Sequence, residues 1–141
     1  MLNNSLPPFH LAIPVNNLDD ARVFYGEILG LPQGRSSNAW IDWNMAGHQL
    51  VTHLAPPVES DSNLVDGHAV PAFHFGLVLD YDSWEKLAER LKVHNVPFLM
   101  EPNVRFAGQA GEQGTFFVRD PAGNALEFKC FMDPSQLFAT D

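Results

Sequence analysis

Three side chains far apart in the chain have the residue types of a metal centre: His10, His74 and Glu127. The two histidines occur in related phrases, Phe9-His10-Leu11-Ala12-Ile13-Pro14-Val15 and Phe73-His74-Phe75-Gly76-Leu77-Val78-Leu79, each an apolar run with one histidine near its start. Glu127 lies in Asn124-Ala125-Leu126-Glu127-Phe128-Lys129-Cys130-Phe131, and a carboxylate among such neighbours is costly to bury unless it is paired or coordinates a metal. Two neutral imidazoles and one carboxylate make a facial set that leaves other coordination positions open.

Positioning that set requires a duplicated module. Residues 9–15 read as a buried strand. Asn16-Asn17-Leu18-Asp19-Asp20 then offers capping side chains and early acidic residues, and Ala21, Phe24, Tyr25, Ile28 and Leu29 follow at helical spacing. The spacing predicts a helix over about 18–29, stopped by Gly30 and Pro32. Residues 33–38 read as turn-like, 39–44 as a strand, Ala46-Gly47 as a turn and 49–54 as the returning strand. After the His74 strand the order recurs: Asp82-Ser83-Trp84-Glu85 has the form of a capping box, and Trp84, Leu87, Ala88 and Leu91 give a helical apolar face closed by Asn95 and Pro97. Strands are expected from Phe98, over 114–119 and over 124–131, the last two joined by the turn Asp120-Pro121-Ala122-Gly123.

The spacings agree with duplication, with 22 residues from His10 to Pro32 and 23 from His74 to Pro97. The second copy is longer towards its end, and the excess falls on 101–113, polar and glycine-rich, a candidate lid or substrate-contacting loop. The chain therefore reads as one α+β domain over 1–141, with two tandem modules that each run from a strand through a helix into further strands, around a metal site. Module one covers about 8–55, a connector 56–70, module two about 71–131, and 132–141 form a loosely held tail.

Overlaying the modules pairs His10 with His74 and Glu127 with Val51, which cannot bind a metal. Gln49 and His53 flank Val51 two residues away on either side, so strand alternation turns all three to one face. His53 is the candidate for proton transfer, and Gln49 for substrate contact. Lys129, matched to His53, and Arg105, in the 101–113 segment, are candidates for holding an anionic substrate group. Trp40 and Trp43 lie on opposite faces of one strand, so at most one lines a pocket. His48, His68 and His94 have no counterpart in the other module and read as surface residues.

Composition narrows the partners. A net charge of −9 and pI near 4.9 speak against nucleic acid or an anionic membrane and for a small-molecule substrate. Cys130 is the only cysteine, which rules out an internal disulfide, suits a reducing compartment and reads as a small buried hydrophobe. The first residues lack the basic and apolar regions of a secretory signal, and no apolar run has the length of a membrane span; a soluble cytoplasmic protein is the expectation.

Two segments carry a family resemblance, Leu18-Asp19-Asp20-Ala21-Arg22-Val23-Phe24-Tyr25-Gly26-Glu27-Ile28-Leu29-Gly30-Leu31 and Phe117-Val118-Arg119-Asp120-Pro121-Ala122-Gly123-Asn124-Ala125-Leu126-Glu127-Phe128. With the paired modules, they make residues 8–131 resemble the vicinal oxygen chelate superfamily of glyoxalase, bleomycin-resistance and extradiol dioxygenase proteins. The resemblance implies two tandem βαβββ modules forming a curved, half-open mixed sheet around a metal site, with metal ligands on the first and last strands of the modules, hence His10, His74 and Glu127. It also implies Fe(II) and a dioxygenase of the extradiol type, acting on a small aromatic diol with dioxygen, in a homodimer; Mn(II), Ni(II) and Zn(II) are the alternative metals. Three protein ligands leave three octahedral positions for both catecholate oxygens and dioxygen, whereas four would leave two. The alternatives are a glyoxalase-like lyase or isomerase using Ni(II) or Zn(II), whose family set has a further ligand where this chain has Val51, and a drug-sequestering protein without catalysis.

Overall fold

The computed structural model describes residues 6–56, 62–65 and 68–140. The chain divides into two compact units, Met1–Val58 and Glu59–Asp141.

In the first unit, strand β1 (His10–Val15) leads into a helix that starts as α1 (Leu18–Ala21) and widens into a π-helical segment, Arg22–Ile28. The Asn17 side chain caps it, its Oδ1 accepting from the Asp20 amide at 3.0 Å. The wider turns show in the Leu29 amide donating to the Phe24 carbonyl, five residues back. Strands β2 (Gln33–Ser36), β3 (Trp40–Met45) and β4 (His48–Leu54) follow, and the sheet order is β1-β4-β3-β2 with β1 parallel to β4. Ala46 and Gly47, both at positive φ, form the tight turn joining β3 to β4.

The second unit repeats this plan after an added hairpin of β5 (Ser62–Val65) and β6 (His68–Pro71). Strand β7 (Phe75–Leu79), α2 (Tyr81–Val93), β8 (Phe98–Arg105), β9 (Gln113–Arg119) and β10 (Ala125–Phe131) form a sheet in the order β7-β10-β9-β8, with β7 parallel to β10. The fold is α+β with two tandem βαβββ modules, and neither four-stranded mixed sheet closes on itself.

Each sheet buries one face beneath its own helix. In the first unit Ala21, Phe24 and Tyr25 are buried, as are Ile13, Ile41, Trp43 and Leu50 from the strands. The Tyr25 and Trp43 rings lie 6.0 Å apart, and Trp43 Nε1 donates to Thr52 Oγ1 at 3.1 Å. In the second unit Trp84, Ala88 and Leu91 are buried along with Phe116, Leu126, Phe128 and Cys130, and Trp84 Nε1 donates to the Phe128 carbonyl at 2.9 Å. Alternation then sends Glu127, Lys129, Thr115 and Phe117 to the opposite face of that sheet.

Several local expectations are corrected. Residues 33–36 are a strand, because β2 is an exposed edge whose backbone pairs with β3 without needing apolar side chains. The connector holds the β5–β6 hairpin; its residues 57–61, 66 and 67 lie outside the described residues. The 101–113 segment is largely strand: β8 continues through Arg105 with register shifts, and only 106–112 lie between β8 and β9. Helix α2 begins earlier than the capping box suggested, since Asp80 is the cap, its carboxylate accepting from the Ser83 amide and hydroxyl at 2.8 Å each. The tail is held as well: the Met132 amide donates to Glu112, and Pro134–Gln136 form a 3-10 turn capped by Asp133.

Candidate metal centre

Strand register decides which residues correspond between the modules. In the first sheet Ala12 pairs with Val51, and in the second Gly76 pairs with Glu127. His10 and His74 each precede those partners by two residues, so the overlay of His10 on His74 and Val51 on Glu127 is a property of the backbone pairing. His10 is the exposed first residue of β1, in the first unit; His74 immediately precedes β7, in the second.

Two of the three proposed ligands share the second unit, and they are adjacent: His74 Nε2 stands 3.8 Å from Glu127 Oε1. Glu127 is buried. Its other oxygen, Oε2, accepts from the hydroxyl of fully buried Thr115 at 2.9 Å, and Lys129 Nζ lies 3.7 Å from Oε1. His74 Nδ1 donates to the Pro71 carbonyl at 2.9 Å, which leaves Nε2 as the ring's acceptor in the neutral form. The ring meets Phe117, the cross-strand neighbour of Glu127, edge-on at 5.0 Å between centroids.

This donor set fits a divalent cation. Nε2 and Oε1 can both donate electron pairs to a cation, and the Lys129 ammonium is the positive charge now beside them. Their separation is within the span of one ion with bonds of about 2.1 Å. Thr115 occupies Oε2, so Glu127 presents the oxygen nearest His74. Within each unit, no three His, Cys, Asp or Glu side chains among the described residues stand at metal-binding spacing.

The loop before β10 fixes where that strand starts. Asp120 Oδ1 accepts from the amides of Ala122 and Asn124, Oδ2 accepts from the Asn124 side chain, and Gly123 takes a φ of 93° that suits glycine. Gly76 has a different role: a Cβ there would run into the Glu127 carbonyl oxygen, so β7 approaches β10 at a point where only glycine fits.

The other sequence candidates divide between the units. Val51 is buried with Gln49 and His53 exposed on either side, and alternation sets all three opposite the helix-covered face. Trp40 shares that face, with the Arg35 guanidinium 5.9 Å from its ring, while Trp43 belongs to the core. Arg105 ends β8 opposite Gln113, which register places on the same face as Thr115 and Lys129; its guanidinium lies 5.3 Å from the Phe106 ring. The side-chain oxygen of Gln113 is buried and has no hydrogen-bond partner among the described residues.

His48 is only half-exposed, and its Nδ1 accepts from the Phe9 amide at 2.8 Å, so it ties β4 to the start of β1. His94 is exposed at the end of α2; His68 belongs to β6, with a side chain outside the described set. Cys130 is fully buried, and burial pushes its thiol pKa up, as suits an inert core residue. A pocket of about 390 Å³ beside Asn17 and Arg22, and one of about 290 Å³ between Val78, Phe131 and Leu137, include none of the proposed ligands.

Two polar residues were not singled out from sequence. Thr115 reads as an ordinary strand residue until the hairpin register sets it opposite Lys129, diagonal to Glu127. Asp42 lies opposite Val51 on β3, so module one also has a carboxylate on this face, one strand away and 3.9 Å from Arg35 Nε. The turn residues Ala46-Gly47 and Asp120–Gly123 are the signal from which both registers can be counted.

The description Glyoxalase/Bleomycin resistance protein/Dioxygenase superfamily belongs to a family model that matches residues 8–128. A solved glyoxalase/bleomycin resistance protein/dioxygenase from Alicyclobacillus acidocaldarius is 34% identical, covering 98% of this chain and 100% of that one, with a TM-score of 0.79. Lactoylglutathione lyase from Agrobacterium tumefaciens shares the fold at 17% identity, covering 97% and 98% with a TM-score of 0.67. A glyoxalase/dioxygenase from Nostoc punctiforme does so at 17% identity, covering 94% and 100% with a TM-score of 0.67. No helix among the described residues is long and apolar enough to cross a membrane. With the duplicated modules, their common register and the matched span taken together, the chain belongs to the glyoxalase/bleomycin resistance protein/dioxygenase superfamily.

Proposed function

We propose that the protein is a metal-dependent dioxygenase of the extradiol type, acting on a small aromatic diol with Fe(II) held by His10, His74 and Glu127. His10 comes from a first module, either of the same chain or of a second copy in a homodimer. The observation that carries the reading is the pairing of His74 with a buried Glu127 in one module while the corresponding seat in the other is Val51. Three donors result, not four.

When bound, such an ion would supply a Lewis-acid centre for the diol and for dioxygen. The chain's residues do the rest. Thr115 and the Pro71 carbonyl fix the orientations of Glu127 and His74. His53 accepts a proton from a diol hydroxyl, Gln49 contacts the substrate, and Arg105 and Lys129 take up an anionic ring substituent. Extradiol cleavage leaves both atoms of dioxygen in the ring-opened product, so no external reductant is consumed. The cytoplasm, with its reducing conditions, suits the single buried thiol.

A lyase or isomerase using Ni(II) or Zn(II) is the reading that the likeness to lactoylglutathione lyase would suggest. At 17% identity that likeness speaks for the fold, and Val51 withholds a fourth donor. A metal-free binding role is favoured by one observation, the Lys129 ammonium already beside Glu127.

The test is elemental analysis of protein purified without chelator, followed by oxygen uptake with catechol and substituted catechols. The expected result is close to one equivalent of iron per chain, lost in Glu127→Gln, with oxygen consumed as the diol disappears. Full metal occupancy with turnover of a hemithioacetal in the absence of oxygen would move the assignment to the lyase. Tight ligand binding without metal would make the protein a sequestering module.

A further inference from the structure

Two nitrogen groups converge on one oxygen: Lys129 Nζ and His74 Nε2 approach Glu127 Oε1 at 3.7 and 3.8 Å, while Thr115 holds Oε2 at 2.9 Å. The carboxylate is the fixed member of this group, buried and tied to a fully buried hydroxyl. The lysine is the movable one. Its side chain is 30% exposed, it ends a flexible four-carbon stem, and its neighbour on edge strand β7 is the exposed Val78. A divalent cation on Oε1 would repel an ammonium group 3.7 Å from that oxygen, so the two compete for it.

We propose that Lys129 is an internal competitor for the metal: it neutralises Glu127 in the metal-free protein and must swing away when a divalent cation takes Oε1. The same lysine therefore weakens metal binding and keeps the empty site stable. Once displaced, it stands at the edge of the site, where an anionic substrate group can meet it. The inference rests on the metal site proposed above.

The experiment is calorimetric titration with Mn(II), a redox-stable probe, of the wild type, Lys129→Met, Lys129→Gln, Lys129→Arg and Glu127→Gln. Thermal melts of each are taken in EDTA and in excess Mn(II). Removing the lysine charge is expected to tighten Mn(II) binding about ten-fold, with Lys129→Arg staying within about three-fold of the wild type. In EDTA, Lys129→Met and Lys129→Gln should melt below the wild type, and Mn(II) should raise their melting temperatures by more than it raises that of the wild type.

If the wild type binds Mn(II), Glu127→Gln does not, and neither neutral variant binds more tightly, the competitor role is overturned and the metal site stands. If the wild type takes up no Mn(II), both ideas fall. Neutral variants that fold only when Mn(II) is present support the proposal; failure to fold in either condition makes Lys129 a structural counter-ion and overturns it.

Discussion

The two modules share a frame and differ in what they mount on it. Across the open face of the first sheet, Ala12, Val51 and Asp42 lie in one row; the matching row of the second is Gly76, Glu127 and Phe117. The next row is Pro14, His53 and Trp40 in the first, and Val78, Lys129 and Thr115 in the second. Strand order, parallel pairing and register are the same, so the backbone does not explain why only the second module gathers a carboxylate, a hydroxyl, an ammonium and an imidazole around one point. The side chains alone do. A duplicated scaffold can thus carry different polar groups in its two halves, since each sheet is held by the core on its helix-covered side.

The sharpest way to break the comparison is at the parallel strand pair. Gly76→Ala should destabilise by about 4 kcal/mol or more in urea titration, because the obstructing atom is backbone and cannot rotate away. Ala12→Gly, the same exchange reversed in module one, should cost only about 0.5–1 kcal/mol. Comparable losses at the two positions would show that the close approach is not peculiar to module two.

Making the modules alike at the ligand seat comes next. Glu127→Val should lower metal affinity by at least about 100-fold. Val51→Glu, which adds a donor, should retain metal but reduce oxygen uptake about ten-fold or more by closing a coordination position. Undiminished oxygen uptake in Val51→Glu would refute the three-ligand argument.

Thr115→Val keeps the shape and removes the donor to Glu127 Oε2, leaving a buried acceptor unpaired. Its expected cost is about 1–3 kcal/mol, with Thr115→Ser close to wild type. The smallest effect concerns the helix caps. The Ser83 amide and hydroxyl hold the Asp80 carboxyl below the usual carboxylate range, whereas module one is capped by Asn17, which does not titrate. A depressed folded pKa means that the cap stabilises fully above the ordinary aspartate range and loses its effect as pH falls through the lowered value. Asp80→Ala should therefore lower the melting temperature by roughly 3 °C at neutral pH, and the gap from wild type should narrow in acid.

Much of this was legible in the residues. The helices announced themselves by apolar spacing, the turns by Ala46-Gly47 and Asp120–Gly123, and Glu127 by being an acid among hydrophobes. What escaped reading was held by backbone pairing instead of side-chain pattern. The β2 edge is exposed along its length, and the far half of β8, from Glu101 to Arg105, interrupts its polar residues with Pro102 and an exposed Val104, so neither has the alternation that marks a half-buried strand. Asp82 and Glu85 offer a plausible box two residues after Asp80, and only the Ser83 amide and hydroxyl, both bonding back to Asp80, distinguish the two. Thr115 could be found only by counting register across the hairpin.

The buried valine on β4 has a genetic consequence. Every valine codon becomes an aspartate or glutamate codon when its middle base changes from T to A. A chain whose pairing already seats Val51 opposite Ala12, as Glu127 is seated opposite Gly76, is therefore one point mutation from carrying an acid at this same seat in both halves. For the proposed metal site, the step between three protein donors and four is short on the mutational map.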